Sequence, residues 1–464
     1  WQTIVQKVLT GKLGGVDRST VAVIGASSVA GLGTRPTIAY FGAADGMLHA
    51  VCASVGGTTE SDSNICPSLG TELWAFLPRV QLPLIRQNKQ RIDGSVRVVD
   101  AFGDFDSPAT GQKRFRTILT FQTGYSDVSL GAPPAMYALD VTDPANPIVI
   151  WEYSTPTTPA ALDFGTGLAT AASMVTTGAT VTNLAFAQTN NGGSGGAGMV
   201  ATALSLETGK KQWQFAYAYP SPPRGNAADL PLPTGYPGGA VGVDLAGTGF
   251  VSELVMGDLY GNLWRVDAAT GVSKTGVSTP LFSFGTNKHP IGAVPAIYAN
   301  GGQQFAVFGS GGYTDPLTAS WTAGTQSLIS VPLLATGPYP ISDSSPKLAF
   351  KQNLTAGQKT FGQVLVVGEE VFITADASDV NLSTYGTGGN TGVAVAYNLA
   401  TAMASSTVVV RGGAASLANI GTNLYGSSSD QQQELAIHAQ STSGSRVDTA
   451  QVPKLDRKLW LRVQ

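Results

Sequence analysis

The stretch Gly257-Asp258-Leu259-Tyr260-Gly261-Asn262-Leu263-Trp264-Arg265-Val266-Asp267 constrains the fold of this chain more than any other. Gly257 and Asp258 close one strand, Tyr260-Gly261-Asn262 supply a tight turn, and Leu263 to Val266 alternate as a half-buried strand does. Asp267 then leads into a second turn, Ala268-Ala269-Thr270-Gly271. Short strands joined by turns this tight pair with their chain neighbours, and the segment predicts the outer edge of a β-propeller blade.

Four phrases align around tryptophan: Glu72-Leu73-Trp74-Ala75-Phe76, Val149-Ile150-Trp151-Glu152-Tyr153, Lys211-Gln212-Trp213-Gln214-Phe215 and Asn262-Leu263-Trp264-Arg265-Val266. In each, Trp precedes another large apolar residue by two positions, so both point to one side of a strand. Trp74, Trp151, Trp213 and Trp264 are therefore expected between blades. Further strand pairs follow the same scheme. Ile38–Phe41 and Leu48–Val51 flank the hairpin signal Asp45-Gly46, and Val371–Ala375 is expected to pair with Val393–Tyr397. Repetition at roughly 50 to 80 residues, with about four strands per unit, predicts an all-β chain. We expect one propeller domain over residues 1–464, with seven irregular blades of four antiparallel strands and long loop insertions. Residues 1–35 are expected as an N-terminal elaboration carrying a short helix at Val5 to Thr10, and 412–445 as an exposed insertion. Asn190 to Gly198 and the Pro-rich Tyr219 to Pro237 are expected as loops, and Leu459 to Val463 as an outer or ring-closing strand.

Composition agrees with a turn-rich β chain: 57 glycines and only 12% charged residues. A net charge of -3 gives no electrostatic footprint for nucleic acid. No run of ~18 apolar residues marks a membrane span. The chain begins at Trp1, and a fragment of a longer protein is expected.

Cys52 and Cys66 flank a polar excursion. A disulfide there pins the loop, contributes about 3 kcal/mol in the chain-entropy model and implies an oxidising compartment. Two unrelated free thiols are the alternative, and the spacing fits no zinc pattern. Chemistry-bearing residues are sparse. His49 sits on an alternating strand in a structural role, His289 precedes Pro290 at a turn, and His438 lies four residues from Glu434, which is two ligands and not a metal site. Gly386 to Gly392 reads as a hairpin loop rather than a phosphate loop. The cations Arg79, Arg86, Lys89, Arg91 and Arg97 spread along a connector as a solvated face, with an acidic protein surface as the alternative partner.

Three segments carry a resemblance: Tyr40 to Ala50 followed by Gly70 to Pro78, Tyr137 to Pro144 with Ile150 to Tyr153, and Gly257 to Asp267. In this order they resemble the C-terminal quinoprotein-like propeller of the PilY/PilC family of type IV pilus biogenesis factors and tip-associated adhesins. The resemblance covers residues 38 to 310 by motif. It implies a non-enzymatic, exported protein at the pilus tip, cell surface or outer envelope, reached through the periplasm. It also implies roles in pilus assembly, retraction control, twitching motility and adhesion. The implied partners are minor pilins, the pilus tip complex, an upstream region of the same protein, and a host or abiotic surface. The expected contact segments are Cys52 to Cys66, Tyr219 to Pro237 and Gly412 to Ser445.

The family's calcium loop maps to Asp244, Ala246, Thr248, Phe250 (through its carbonyl) and Ser252, with Glu253 one residue out of register. Calcium takes six to eight oxygens and gains from negative charge. One carboxylate and two hydroxyls make a degenerate loop, and no other cofactor is implied. The segment Ala185 to Gly193 also departs from the family's Gly-Asn-Gly-Tyr phrase. Two alternatives share the propeller phrases. A pyrroloquinoline-quinone oxidoreductase would use adjacent cysteines, which Cys52 and Cys66 are not. An outer-membrane assembly scaffold would lack the pilus motifs.

Overall fold

The computed structural model describes residues 14–451 except for interior stretches, the longest being 57–64, 155–169, 219–238, 312–324, 335–340, 377–390, 429–434 and 439–447; after residue 404 it describes backbone only. Strands pair mostly antiparallel with their chain neighbours, giving among the described residues seven sheets over 22–76, 96–154, 170–218, 240–283, 296–353, 359–411 and 414–451. Each contains a four-stranded meander. The first strands of successive sheets pack against one another: Ala22–Ile24, Val96–Gly103, Thr170–Thr177, Ala240–Val243, Ala296–Asn300, Leu365–Val367 and Ala414–Ile420. Sheets joined at their first strands radiate from an axis, and their fourth strands form the rim, as in a seven-bladed propeller.

The sequence of the middle strands follows from this arrangement. A strand sends alternate side chains to opposite faces, and here both faces are covered. Leu254 and Met256 point into a cluster with Leu184, Phe186 and Trp213 of the third sheet, while Val255 joins Phe308 and Ile329 of the fifth. Each of the five hydrophobic clusters among the described residues lies between two neighbouring sheets, from the first pair to the fifth. Fully burying a side chain such as Leu254 or Phe308 contributes about 1.5–3 kcal/mol. The stability of the disc is thus distributed over its blade interfaces.

Several expectations change. The segment Gly257 to Asp267 joins the second and third strands of the fourth sheet, Glu253–Gly257 and Asn262–Asp267, and is not its outer edge. The outer strand is only Phe282–Ser283, too short to show a pattern. It is extended by Ile341–Ser342, which arrives from the fifth sheet and pairs with it in parallel. Residues 412–445 were expected as an exposed insertion; their strands Ala414–Ile420, Asn423–Ser428 and Leu435–His438 instead form the seventh sheet with Asp448–Gln451. The apolar alternation there is diluted by Ser and Gln, so it reads as loop. The N-terminal elaboration 1–35 contains the first strand, Ala22–Ile24. The loop at Asn190 to Gly198 begins inside the strand Thr180–Gly192. The helix at Val5 to Thr10, the stretch Tyr219 to Pro237 and the strand at Leu459 to Val463 lie outside the described residues.

Candidate functional site

Three of the four tryptophans share one role. Trp74, Trp151 and Trp213 sit on outer strands, and each indole N–H reaches the next sheet, donating to the carbonyls of Pro144 (2.8 Å), Leu206 (2.8 Å) and Ala268 (3.0 Å). These acceptors lie in the turns before the next outer strand. Asp267 shapes one such turn by accepting from the N–H groups of Ala269 (3.0 Å) and Thr270 (2.9 Å). Gly209 and Gly271 take left-handed backbone (φ 68° and 71°) directly under the rings of Trp151 and Trp213. Trp264 differs. It lies on a third strand, is fully buried, and donates to Asp258 Oδ2 of its own sheet (2.8 Å). Asp258 also accepts from Tyr260 N, Asn262 N and Asn262 Nδ2. Burial still outweighs these donors and pushes its carboxyl up to about 6. Gly261, at φ 79°, completes the turn.

Polar pairs not anticipated from sequence brace strands within blades and across their interfaces. Arg35 of the first sheet grips Asp100 of the second (2.7 and 3.2 Å). Arg265 pairs with Glu253 (2.8 Å) and donates to the Leu334 carbonyl from the fifth sheet, with both charged side chains buried. His49 stacks on Phe41 and lies between Glu72 (Nδ1–Oε1, 2.6 Å) and Asp45 (Nε2–Oδ2, 3.0 Å). Burial alone would lower its pKa, but hydrogen bonds and charge from Asp45 and Glu72 outweigh it and raise the imidazole to about 9. The available sequence signal was a charge inside an apolar strand. Strand pairing that joins distant segments was needed to identify the partner.

An antiparallel meander places its connections alternately on two faces. One face carries the turns after first and third strands. It includes the Cys52–Cys66 loop and the Asp244 loop between Ala240–Val243 and Glu253–Gly257. The other carries the Asp258 turn and the connector after Phe76. Of the expected contact segments, the Cys52–Cys66 disulfide lies on the first of these faces, and Tyr219 to Pro237 lies outside the described residues. Cys52 and Cys66 are disulfide-bonded and buried, and Gly56 N–H donates to the Cys66 carbonyl (2.9 Å).

The Asp244 loop is closed by its own hydrogen bonds. Gly249 N–H (2.6 Å) and Thr248 Oγ1 (3.3 Å) donate to the Asp244 carboxylate. Burial favours the neutral acid, but these bonds prevail and hold its pKa below the usual carboxylate value. Ser252 Oγ donates to the Val243 carbonyl, and Glu253 is engaged by Arg265. One carboxylate, a Ser252 hydroxyl turned to the Val243 carbonyl, and Ala246 at an expected ligand position do not supply the oxygens and negative charge that calcium takes.

His289 stacks on Phe284 (centroids 4.6 Å apart), and His438 is in a strand while Glu434 lies outside the described residues. In the basic run, Arg79 pairs with Glu152 (2.8 Å) and Lys89 with Asp127 (3.7 Å), so these cations bind within the disc.

No family model matches the chain. It is 26% identical over 298 residues to the type IV pilus biogenesis factor PilY1 homolog of Xylella fastidiosa, covering 60% of this chain and 20% of that protein. The chain thus spans about a fifth of its curated relative. The crystal structure of the Pseudomonas aeruginosa PilY1 C-terminal domain superposes with a TM-score of 0.56 and 17% identity, covering 86% of this chain and 92% of that one. BamB from Moraxella catarrhalis gives a TM-score of 0.40 at 13% identity, covering 89% of this chain and 95% of that one. The chain is thus similar in sequence to a PilY1 homolog and shares the fold of a PilY1 C-terminal domain.

Proposed function

We propose that this propeller is the binding domain of an exported, type IV pilus-associated protein. In this reading it supports pilus assembly, retraction control, twitching motility and surface adhesion by holding partners and not by catalysis. Its partners are minor pilins and the tip complex, an upstream region of the same protein, and a host or abiotic surface. The observation carrying this reading is the 298-residue likeness to a pilus biogenesis factor. Two features agree with it. The charged pair Arg35–Asp100, the buried pair Glu253–Arg265 and the buried His49 are spent on joining strands and blades. The disulfide suits an oxidising compartment on the export route. Bracing each blade against the next also suits a disc that bears force.

The test is a binding assay with purified, disulfide-intact protein against purified minor pilins. Saturable binding, and loss of piliation on deleting the domain from its host, are the expected results. Normal piliation after deletion together with no pilin binding would overturn the reading.

A further inference from the structure

We propose that the tip of the hairpin joining the first two strands of the second sheet is a docking finger for an acidic, apolar segment of a protein partner. The strands Val96–Gly103 and Arg114–Gln122 pair out to Gly103 opposite Arg114, beyond where the third strand leaves the ladder at Asp140 opposite Ile118. On this overhang Phe102 and Phe115 face each other (centroids 5.1 Å apart) and remain 44% and 46% exposed. Gln112, Lys113 and Arg114 are exposed beside them. Exposed aromatics next to arginine have the composition of an interface core, not of an ordinary weakly charged surface.

The described residues on the two sides of the hairpin end are tied to one another. Asp104 accepts from Gly111 N (2.5 Å) and Asp106 N (3.3 Å), and Asp106 accepts from Thr110 Oγ1 (2.9 Å) and pairs with Arg114 (2.6 Å) and Arg116 (3.3 Å). Ties made beforehand reduce the ordering cost at binding.

Charge selects the occupant. The carboxylates are used internally: Asp104 and Asp140 are buried, Asp140 pairs with Arg116 (3.3 Å), and the half-buried Asp106 is shared by Arg114 and Arg116. The cations lie outermost. Lys113 has no ion-pair partner among the described residues, and Arg114 shares Asp106 with Arg116. On the neighbouring blade Lys210 is also exposed, in the turn whose Glu207 lies against Gly103. A partner with acidic groups around Leu or Phe matches this pattern, whereas a basic one is repelled.

The inference rests on the domain being a binding module, but it is tested independently of pilin binding. The full chain is titrated against immobilised 12-residue peptides alternating Asp or Glu with Leu or Phe, against the same peptides with Lys in place of the acids, and on an oligosaccharide array. Wild type is expected to bind the acidic set, more weakly as salt rises. Phe115→Ser and Lys113→Glu should each weaken binding about tenfold, with Arg86→Glu on the opposite face without effect. Lys113→Glu removes no buried contact, so it serves even if Phe115→Ser fails to fold. Equal binding of acidic and basic peptides, or unchanged affinity in both hairpin variants, would overturn the proposal. So would Phe115-dependent, charge-independent binding of oligosaccharides, which assigns the finger to a glycan. Pilin binding that persists with an unaltered hairpin response sinks the finger alone and leaves the pilus reading standing.

Discussion

Replacing Gly271 with alanine tests whether the rim tryptophans are seated on the turns of the next blade. Gly271 has φ 71°, and an added Cβ would sit 2.4 Å from Cε3 and 2.7 Å from Cδ2 of Trp213. The indole has little room to retreat, because it is buried in the cluster between the third and fourth sheets and tied to the Ala268 carbonyl. Left-handed backbone costs alanine about 1 kcal/mol, and overpacking adds about 1–3 kcal/mol. Gly249→Ala is the control: φ is 84° but nothing lies within 4 Å, so only the backbone cost applies. With about 2.1 cal/mol/K of unfolding entropy per residue over 464 residues, Gly271→Ala should lower the melting temperature by about 2–4 °C, and Gly249→Ala by about 1 °C. Scanning calorimetry of the oxidised protein reads both. In a Trp213→Leu background the penalty of Gly271→Ala should fall to that of the control. An equal penalty for the two glycines in the parent, or the same Gly271 penalty in both backgrounds, would refute the seating argument.

Four further outcomes follow from the same geometry. Reducing the Cys52–Cys66 bond, or replacing both cysteines by serine, should cost about 3 kcal/mol, seen as a lower melting temperature than the oxidised parent. His49 is raised from 6.5 to about 9, so its stabilisation is complete below about pH 6.5 and lost as pH rises through 9; melts from pH 6 to 10 should fall in the parent and flatten in His49→Gln. Arg265→Met leaves buried Glu253 unpaired and should cost about 3–5 kcal/mol in denaturant melts, while Glu253→Leu with Arg265→Met restores most of it. Calcium or a chelator should leave the melting temperature unchanged, because the loop offers one carboxylate and has Ala246 at an expected ligand position; a calcium-dependent rise would show that the loop binds metal.

The all-β class, the hairpin at Asp45-Gly46 and the blade phrases were legible in the residues, because turn chemistry and two-residue alternation are local properties. The seventh sheet was not, since Leu417, Ile420, Leu424 and Ile437 are spaced among Ser, Gly and Gln. The likeness of Trp264 to the other three tryptophans was a likeness of local spacing. Its strand position depends on how long a turn runs before the fourth strand, and that strand is two residues long. By itself the sequence determined that short antiparallel strands would recur, where they would turn, and which side chains could face a neighbour. Only the tertiary structure decided which neighbour. It sent Trp213 to Ala268 but Trp264 to Asp258, joined Arg35 to Asp100, and placed the Cys52–Cys66 disulfide and the Asp258 turn on opposite faces. The physical reason is that alternation fixes the side of a strand on which a residue lies, while its partner is set by pairing between segments far apart in the chain.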